Sequence, residues 1–280
     1  MNTSNKINKY IDSIDIIYWI NLDRSVDRKK YMESNLKHFK IKNKRINATD
    51  ALLIENDKLY SQFINYGEFN RTKIEYAVLH SHLKTIEEFA NSPYQMALIF
   101  EDDLSLEYVP LWDKKLSEII NGAPKDWDII MLCYIFKYQL NDMYTFNTNG
   151  KISSCLSYVI NKNSAKKLIN QIKKDNKYIL YNDKIHTADD YIYSLLKTYA
   201  YKYPYFTYPI DNDSTIHPQE LIYHNYAKGI AEKNWKERYN KTNLQDIFYC
   251  DLLSLKSISI LIIIFIIMFL VIKLVIKLVI

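Results

Sequence analysis

Short apolar runs alternate along the chain with longer stretches of helical spacing. IDIIYWINL (14–22), YQMALIF (94–100) and DWDIIMLCYIF (126–136) are nearly unbroken, β-branched and aromatic. Runs of that length and make-up predict buried strands. Between them, DRSVDRKKYMESNLKHF (23–39) spaces its apolar positions helically and predicts a helix from about Ser25. RTKIEYAVLHSHLKTIEEFANSP (71–93) predicts a second helix, with Ile74, Ala77, Val78, Ser81 and Thr85 near one face and a stop at Ser92-Pro93. LWDKKLSEIING (111–122) reads as a helix closed by Asn121-Gly122. SSCLSYVINKNSAKKLINQIKK (153–174) reads as a strand, a turn capped by Asn163 or Ser164, and a helix. TADDYIYSLLKTYA (187–200) predicts one more helix, capped by Thr187 or an adjacent Asp. KNKRINATDA (42–51) fits a short strand and turn, and AYKYPYFTYPI (200–210) an extended aromatic segment.

Strands that alternate with helices and are apolar throughout predict an α/β domain, placed at 15–250, with a mostly parallel sheet covered on both faces. Ligands of such sheets sit beyond the carboxyl ends of the strands. Residues 1–14 read as a polar N-terminal segment. The run SISILIIIFIIMFLVIKLVIKLVI (257–280) is different in kind, almost purely apolar until Lys273 and Lys277. With those lysines snorkelling to headgroups it is long enough for a ~30 Å hydrocarbon core. It predicts a C-terminal transmembrane helix that anchors a cytosolic domain to a membrane.

Composition narrows the chemistry. At 48% apolar and 25% charged residues, the chain has the make-up of a globular protein with a core. Its net charge of +5 comes from scattered lysines, without the basic helix or arginine cluster that nucleic acid requires. Four glycines exclude a glycine-rich phosphate loop. Cys133, Cys155 and Cys250 form no C-x-x-C pair, which excludes zinc knuckles and fits a reducing compartment.

The candidate chemistry begins where MALIFEDDLSL (96–106) runs from an apolar strand into Glu101, Asp102 and Asp103. In an extended segment Glu101 and Asp103 point one way and Asp102 the other. Two such carboxylates suit Mn²⁺ or Mg²⁺, which would also relieve their repulsion. The triplet equally fits a surface turn in which Asp103 caps a following helix. Asp211-Asn212-Asp213 repeats the D-x-D pattern but reads first as a turn. Arg24 and Arg28, just past the first strand, fit either a phosphate or uracil contact or a solvated helix start. His80 and His82 face different ways on a helix, so they form no joint metal site. His82 remains as a lone contact, and His217 or His224 as a late metal or phosphate contact.

The ordered set INLDRSVDRKKYM, RINATDA, EYAVLHSHL, ALIFEDDLSL, WDIIML, SYVINKNSAKKLI and TADDYIY resembles glycosyltransferase family 25, from about Ile16 to His217. The resemblance implies a GT-A-like nucleotide-binding domain, a UDP-sugar donor (commonly UDP-galactose), a divalent metal (Mn²⁺ or Mg²⁺) and a glycan or glycoprotein acceptor. By position, Asn21, Asp23, Arg24 and Arg28 match the opening motif on the donor side. Glu75, Ser81 and His82 match a helix motif. Glu101, Asp102 and Asp103 match the acidic metal motif, with Glu101 and Asp103 holding the metal and Asp102 on the ribose or sugar. Tyr158 and Ala165 match positions expected to be structural. Asp189 and Asp190 match the acidic motif of the second half, where one serves as the base of an inverting transfer and the other as a cap. Ala77 and the segment Asn161-Lys162-Asn163 depart from the family pattern by lacking its glycines. Two rivals use the same residues: a metal-dependent phosphoesterase, and a non-catalytic, membrane-tethered module that binds sugar or nucleotide.

Overall fold

The computed structural model describes residues 3–65, 72–136, 138–181, 187–209 and 221–239. In chain order the elements are α1 (Thr3–Tyr10), β1 (Ile16–Asn21), α2 (Val26–Leu36), β2 (Lys42–Asn47), α3 (Asn56–Tyr60), β3 (Phe63–Asn65), α4 (Lys73–Asn91) and β4 (Met96–Glu101). There follow α5 (Leu116–Gly122), β5 (Ile129–Met131), β6 (Tyr144–Phe146), β7 (Ser157–Asn161), α6 (Lys162–Ile172), β8 (Lys173–Lys174), β9 (Lys177–Leu180), α7 (Ala188–Leu195), β10 (Thr198–Tyr201) and α8 (Leu221–Arg238). Met1–Asn234 is one compact unit. A second unit, Trp235–Ile280, is described only through residue 239, where the rings of Trp235 and Tyr239 stack 6.0 Å apart.

The central sheet has seven strands in the order β2-β1-β4-β7-β5-β10-β6. β1 is parallel to β2 and β4, and β5 to β10. β7 runs antiparallel to both β4 and β5, and β6 antiparallel to β10. The predicted α/β fold with a mostly parallel sheet is therefore present, with one reversed strand at its centre. A second sheet, β3-β9-β8, was not foreseen. Its strands are two to four residues long, too short for a periodicity to register.

Alternation along β1 and β4 divides the core. Ile16, Tyr18, Ile20, Ala97 and Ile99 join one apolar cluster with Leu79, Leu83 and Ile86 of α4, Leu168 of α6 and Ile192 of α7. Phe100 instead meets Phe39 and Phe206, with ring centroids 6.3 and 4.9 Å away. Glu101 continues the Ala97-Ile99 face and therefore looks toward α4.

Several boundaries differ from the sequence reading. Residues 1–14 are not merely a polar segment, because α1 buries Ile7, with Ile11 just beyond it, and Ser4 Oγ lies 2.6 Å from His38 Nδ1. Ile74 is 37% exposed, and the buried face of α4 is instead Tyr76, Ala77, Leu79, Ser81, His82, Leu83, Thr85, Ile86, Phe89 and Ala90. α5 begins only at Leu116 and ends at Ala123 in extended backbone, so Gly122 supplies no left-handed cap. Asn161, not Asn163 or Ser164, caps α6, its side chain accepting Ser164 N–H at 2.9 Å. α7 stops at Leu195, and KTYA belongs mostly to β10.

Among the described residues no helix is long and apolar enough to cross a membrane. The predicted anchor at 257–280, Asp211–Asp213, His217 and Cys250 lie outside the described residues, and so does the side chain of His224.

Candidate functional site

β2, β1 and β4 end side by side at Asn47, Asn21 and Glu101, with Asn21 level with Asn47 and Ile20 level with Glu101. The strand pairing thus brings the opening motif and the acidic triplet together at the carboxyl edge of the sheet. Asn21 is 1% exposed and works in three directions. Its Nδ2 donates to Asp102 Oδ2 at 2.6 Å and to Ser25 O at 3.3 Å, while its Oδ1 accepts from Arg45 Nε at 2.8 Å. Arg45 also donates to Asp23 Oδ1 at 2.7 Å, and Asn47 to Asp23 Oδ2 at 2.6 Å. Asp23 therefore fastens β2 to the turn after β1.

β4 stops at Glu101, and the chain turns at once. The expected strand alternation of the triplet fails for that reason. Asp102 and Asp103 converge on one guanidinium, with Arg28 Nη1 2.9 Å from Asp102 Oδ1 and 3.3 Å from Asp103 Oδ2. Glu101 turns instead to α4, where His82 Nε2 lies 3.0 Å from its Oε1. His82 is 1% exposed and its Nδ1 is 3.3 Å from Tyr158 Oη, so the ring bridges a phenol and a carboxylate.

The triplet's charges are unevenly served. Asp102 has a partner on each oxygen. Asp103 has only the long contact to Arg28, and its Oδ1 is sealed from solvent with no partner, although the side chain as a whole is 17% exposed. Burial, with Glu101's charge next and Arg28 opposing, pushes the Asp103 carboxyl up to about 7. The same carboxylates outweigh the burial of Arg28 and raise its guanidinium further.

The remaining sequence candidates lie around this centre in supporting roles. Arg24 Nε meets Asp50 Oδ2 at 2.7 Å, and Asp50 Oδ1 accepts Leu52 N–H at 2.9 Å. Ser81 Oγ donates to Ala77 O at 2.7 Å and accepts Thr49 N–H at 2.8 Å, tying the loop after β2 to α4. Glu75 sits in a capping box: its carboxylate accepts Thr72 N–H at 2.5 Å while Thr72 Oγ1 accepts Glu75 N–H at 3.2 Å. His80 packs edge-on against Phe63 and Tyr178, away from His82's partners, and burial lowers its pKa to about 4.

Asp189 and Asp190 open α7 behind the cap Thr187, whose Oγ1 accepts Asp190 N–H at 3.3 Å. Asp189 is 9% exposed and has both oxygens engaged, Oδ2 by Ser154 N–H at 2.5 Å and Oδ1 by Asp190 N–H at 3.1 Å. Asp190 is half-buried.

The profile of glycosyltransferase family 25 (LPS biosynthesis protein) matches residues 14–191. The chain belongs to that family. Comparison with curated proteins gives no match.

The family span covers every candidate described above, from Asn21 to Asp190. It also covers residues with no part at the carboxyl edge. Asp128, in WDIIML, accepts from Ser164 Oγ at 2.7 Å, Lys167 Nζ at 2.5 Å and Lys197 N–H at 2.9 Å, knotting the start of β5 to α6 and β10. Family motifs thus mark framework as well as site. Among the described residues no three His, Cys, Asp or Glu side chains come together as a ready metal cage. What the edge offers a hard cation is the unpartnered Asp103 Oδ1 beside Glu101, whose Oε1 alone is engaged. A cavity of about 520 Å³ opens at the other end of β1 and β2, beside Lys42, Lys44, Glu88 and Pro93, and contains none of these groups.

Sequence reasoning missed Arg45, Ser154 and Tyr208. Ser154 Oγ lies 2.6 Å from Tyr208 Oη, and the charges of Glu101 and Asp103 act on that phenol, whose pKa burial raises. No local pattern announces these residues, because each acquires its partners only from segments distant in the chain.

Proposed function

We propose that the chain is an inverting glycosyltransferase of GT-A type, moving a hexose, galactose in the first instance, from a UDP-sugar to a hydroxyl of a glycan or glycoprotein acceptor. Membership of the family supports transfer of a sugar. The single observation that carries the finer reading is the sealed, unpartnered Oδ1 of Asp103, which shares one arginine with Asp102. A buried acceptor without a donor is costly unless a ligand completes it.

The donor set fits Mn²⁺ or Mg²⁺ in kind, since Glu101 and Asp103 offer hard carboxylate oxygens and such ions complete their shells with water or phosphate oxygens. A bound divalent cation supplies the charge that offsets the donor's diphosphate and the departing UDP. Glu101 and Asp103 would hold it, and His82 orients Glu101 for that purpose. Arg28 keeps Asp102 and Asp103 together, and its guanidinium would be available at the carboxyl edge of the sheet to meet a donor phosphate.

Asp190 is the better base, since both oxygens of Asp189 are already committed. It takes the acceptor's hydroxyl proton as that oxygen bonds to the anomeric carbon. The bond from the anomeric carbon to the diphosphate breaks on the opposite face, and UDP leaves with the electron pair. A membrane anchor at 257–280 with the domain in the cytosol, where nucleotide sugars are made, completes the proposal. It suits a family described by LPS biosynthesis.

The test is UDP release from UDP-galactose, UDP-glucose and UDP-N-acetylhexosamines with Mn²⁺, with and without an acceptor. Acceptor-stimulated release that disappears in Asp103→Ala is expected. Full activity in that variant would move the cation elsewhere, and phosphodiester cleavage without sugar transfer would replace the reading by a phosphoesterase.

A further inference from the structure

The two acidic clusters come from chain segments almost ninety residues apart, yet an unbroken series of hydrogen bonds joins them. Asp190 N–H donates to Asp189 Oδ1 at 3.1 Å, and Asp189 Oδ2 accepts Ser154 N–H at 2.5 Å. Ser154 Oγ accepts Leu156 N–H at 3.2 Å, and Leu156 O accepts Glu101 N–H at 3.0 Å. Ser154 stands at the middle of the series and is almost wholly used: its carbonyl accepts Tyr193 O–H at 2.8 Å, and its hydroxyl pairs with Tyr208.

Ser154 has φ +104°, a left-handed backbone that a residue with a Cβ adopts only under strain. Such a conformation persists where its surroundings over-determine it. Here the strongest local constraint is a buried carboxylate bonded to the backbone N–H, an interaction about twice as strong as a neutral hydrogen bond. A few residues earlier, Gly150 is also left-handed, at φ +71°, and a Cβ there would come within 2.7 Å of Asp190 Cα. The loop before β7 thus touches the start of α7 twice, at Asp189 through a hydrogen bond and at Asp190 through bare backbone contact.

We infer that Asp189 is a positioning residue which, by clamping Ser154 in its left-handed conformation, sets the distance between Asp190 and the Glu101-Asp103 cluster. This rests on the transferase reading for its consequence, though not for the clamp itself. An asparagine at 189 keeps one side-chain acceptor and so keeps part of the clamp. An alanine keeps none. A base behaves differently, since asparagine and alanine are equally unable to take a proton.

The experiment compares Asp189→Asn, Asp189→Ala, Asp190→Asn and Asp190→Ala in the full chain by two readouts. The first is amide hydrogen exchange at Ser154, expected to be protected in the unaltered chain, largely protected in Asp189→Asn, and at least about tenfold faster in Asp189→Ala. The second is steady-state transfer from the active UDP-sugar. Misplacement by about an ångström costs roughly 10²-fold in rate. Asp189→Ala is therefore expected to lose about that in kcat with donor KM little changed, and Asp189→Asn to recover to within about tenfold of the unaltered chain. Both Asp190 variants are expected to lose about 10²–10⁴-fold alike. Equal loss in folded Asp189→Asn and Asp189→Ala would make Asp189 the base. Unchanged exchange at Ser154 in Asp189→Ala would remove the clamp. If Asp189→Ala does not fold, adding Ser154→Gly supplies a residue that accepts the left-handed φ unaided. The double variant is then expected to fold and to recover kcat toward that of Asp189→Asn, because glycine keeps the left-handed φ without the clamp. A kcat as low as that of Asp190→Ala would overturn the positioning role. If the unaltered chain transfers no sugar from any donor, the transferase reading fails while the exchange measurement still decides the clamp.

Discussion

The acidic triplet after β4 and the acidic pair opening α7 share residue types but not circumstances. Around Asp189 the fold has matched each carboxylate oxygen with a backbone N–H, and the group behaves as framework. Around Asp103 the fold has set two neighbouring carboxylates on one arginine, with Glu101 beside them, and left a sealed oxygen with no donor. A domain whose net stability is only about 5–15 kcal/mol does not keep such a group without cause. The contrast separates carboxylates that hold the protein together from carboxylates that wait for something else. It also separates two kinds of mutational effect, one on stability and one on activity.

The largest expected effect lies on the waiting side. Asp103→Asn should lower sugar transfer by about 10³-fold or more, as removal of a group that holds a catalytic cation does. Its melting temperature above pH 7 should stay level or rise, by about 2–4 °C for each kcal/mol relieved. Transfer assays paired with calorimetry check both halves. A variant that loses activity because it unfolds would erase the contrast.

Next comes His82, which joins the two sides. Its ring serves Glu101 Oε1 and Tyr158 Oη at once. His82→Ala leaves the buried Tyr158 hydroxyl without that partner and the half-buried Glu101 without its own, and should cost about 1–3 kcal/mol in denaturant unfolding. It should also weaken Mn²⁺ binding, measured by calorimetric titration, by about 10–100-fold, as loss of an orienting partner does.

Two shifted groups, Asp103 and His80, act on the pH dependence with opposite sign. The folded pKa of Asp103, about 7, stands above the ordinary 3.8 because burial and Glu101's charge disfavour the anion. Between those values the folded chain retains a proton that the unfolded chain has lost. Protonation of Asp103 therefore favours folding, and its contribution should fall as pH rises from about 4 to about 7 and then level off. His80, held down to about 4 by burial, contributes the opposite slope up to about 6.5. The slope is at most about 1.4 kcal/mol per pH unit for one proton. Urea unfolding in the presence of a chelator, repeated in Asp103→Asn, isolates the Asp103 contribution. An unchanged slope in the variant would assign it to another group.

The sequence made some of this legible. The apolar runs located β1 and β4 to within two residues, because a buried parallel strand is apolar on both faces. The acidic end of β4 stood out as a candidate, but the triplet by itself equally fitted a surface turn, and only the ordered set of family motifs favoured a site. The direction of each side chain was not legible. Alternation predicted that Glu101 and Asp103 share a face, but the chain turns after Glu101, and Arg28, from another element, sets where Asp102 and Asp103 point. The role of Asp189 was hidden for a similar reason. Its partner Ser154 is 35 residues away, and the left-handed φ that makes the contact has no glycine to announce it.

Glu75 gives the smallest effect and the sharpest separation of the two kinds of acid. It matches a family motif, yet its carboxylate closes a capping box with Thr72 at the start of α4. If capping is its whole function, Glu75→Ala and Thr72→Ala remove the two halves of one device. Each should then cost about 1 kcal/mol of stability and leave donor KM equally little changed. If Glu75 also reaches the donor, the two variants will match in melting temperature, but only Glu75→Ala will raise donor KM. A buried framework acid and a ligand-binding acid can share one helix end, and the pair of variants distinguishes them because Thr72 can take part in only the first role.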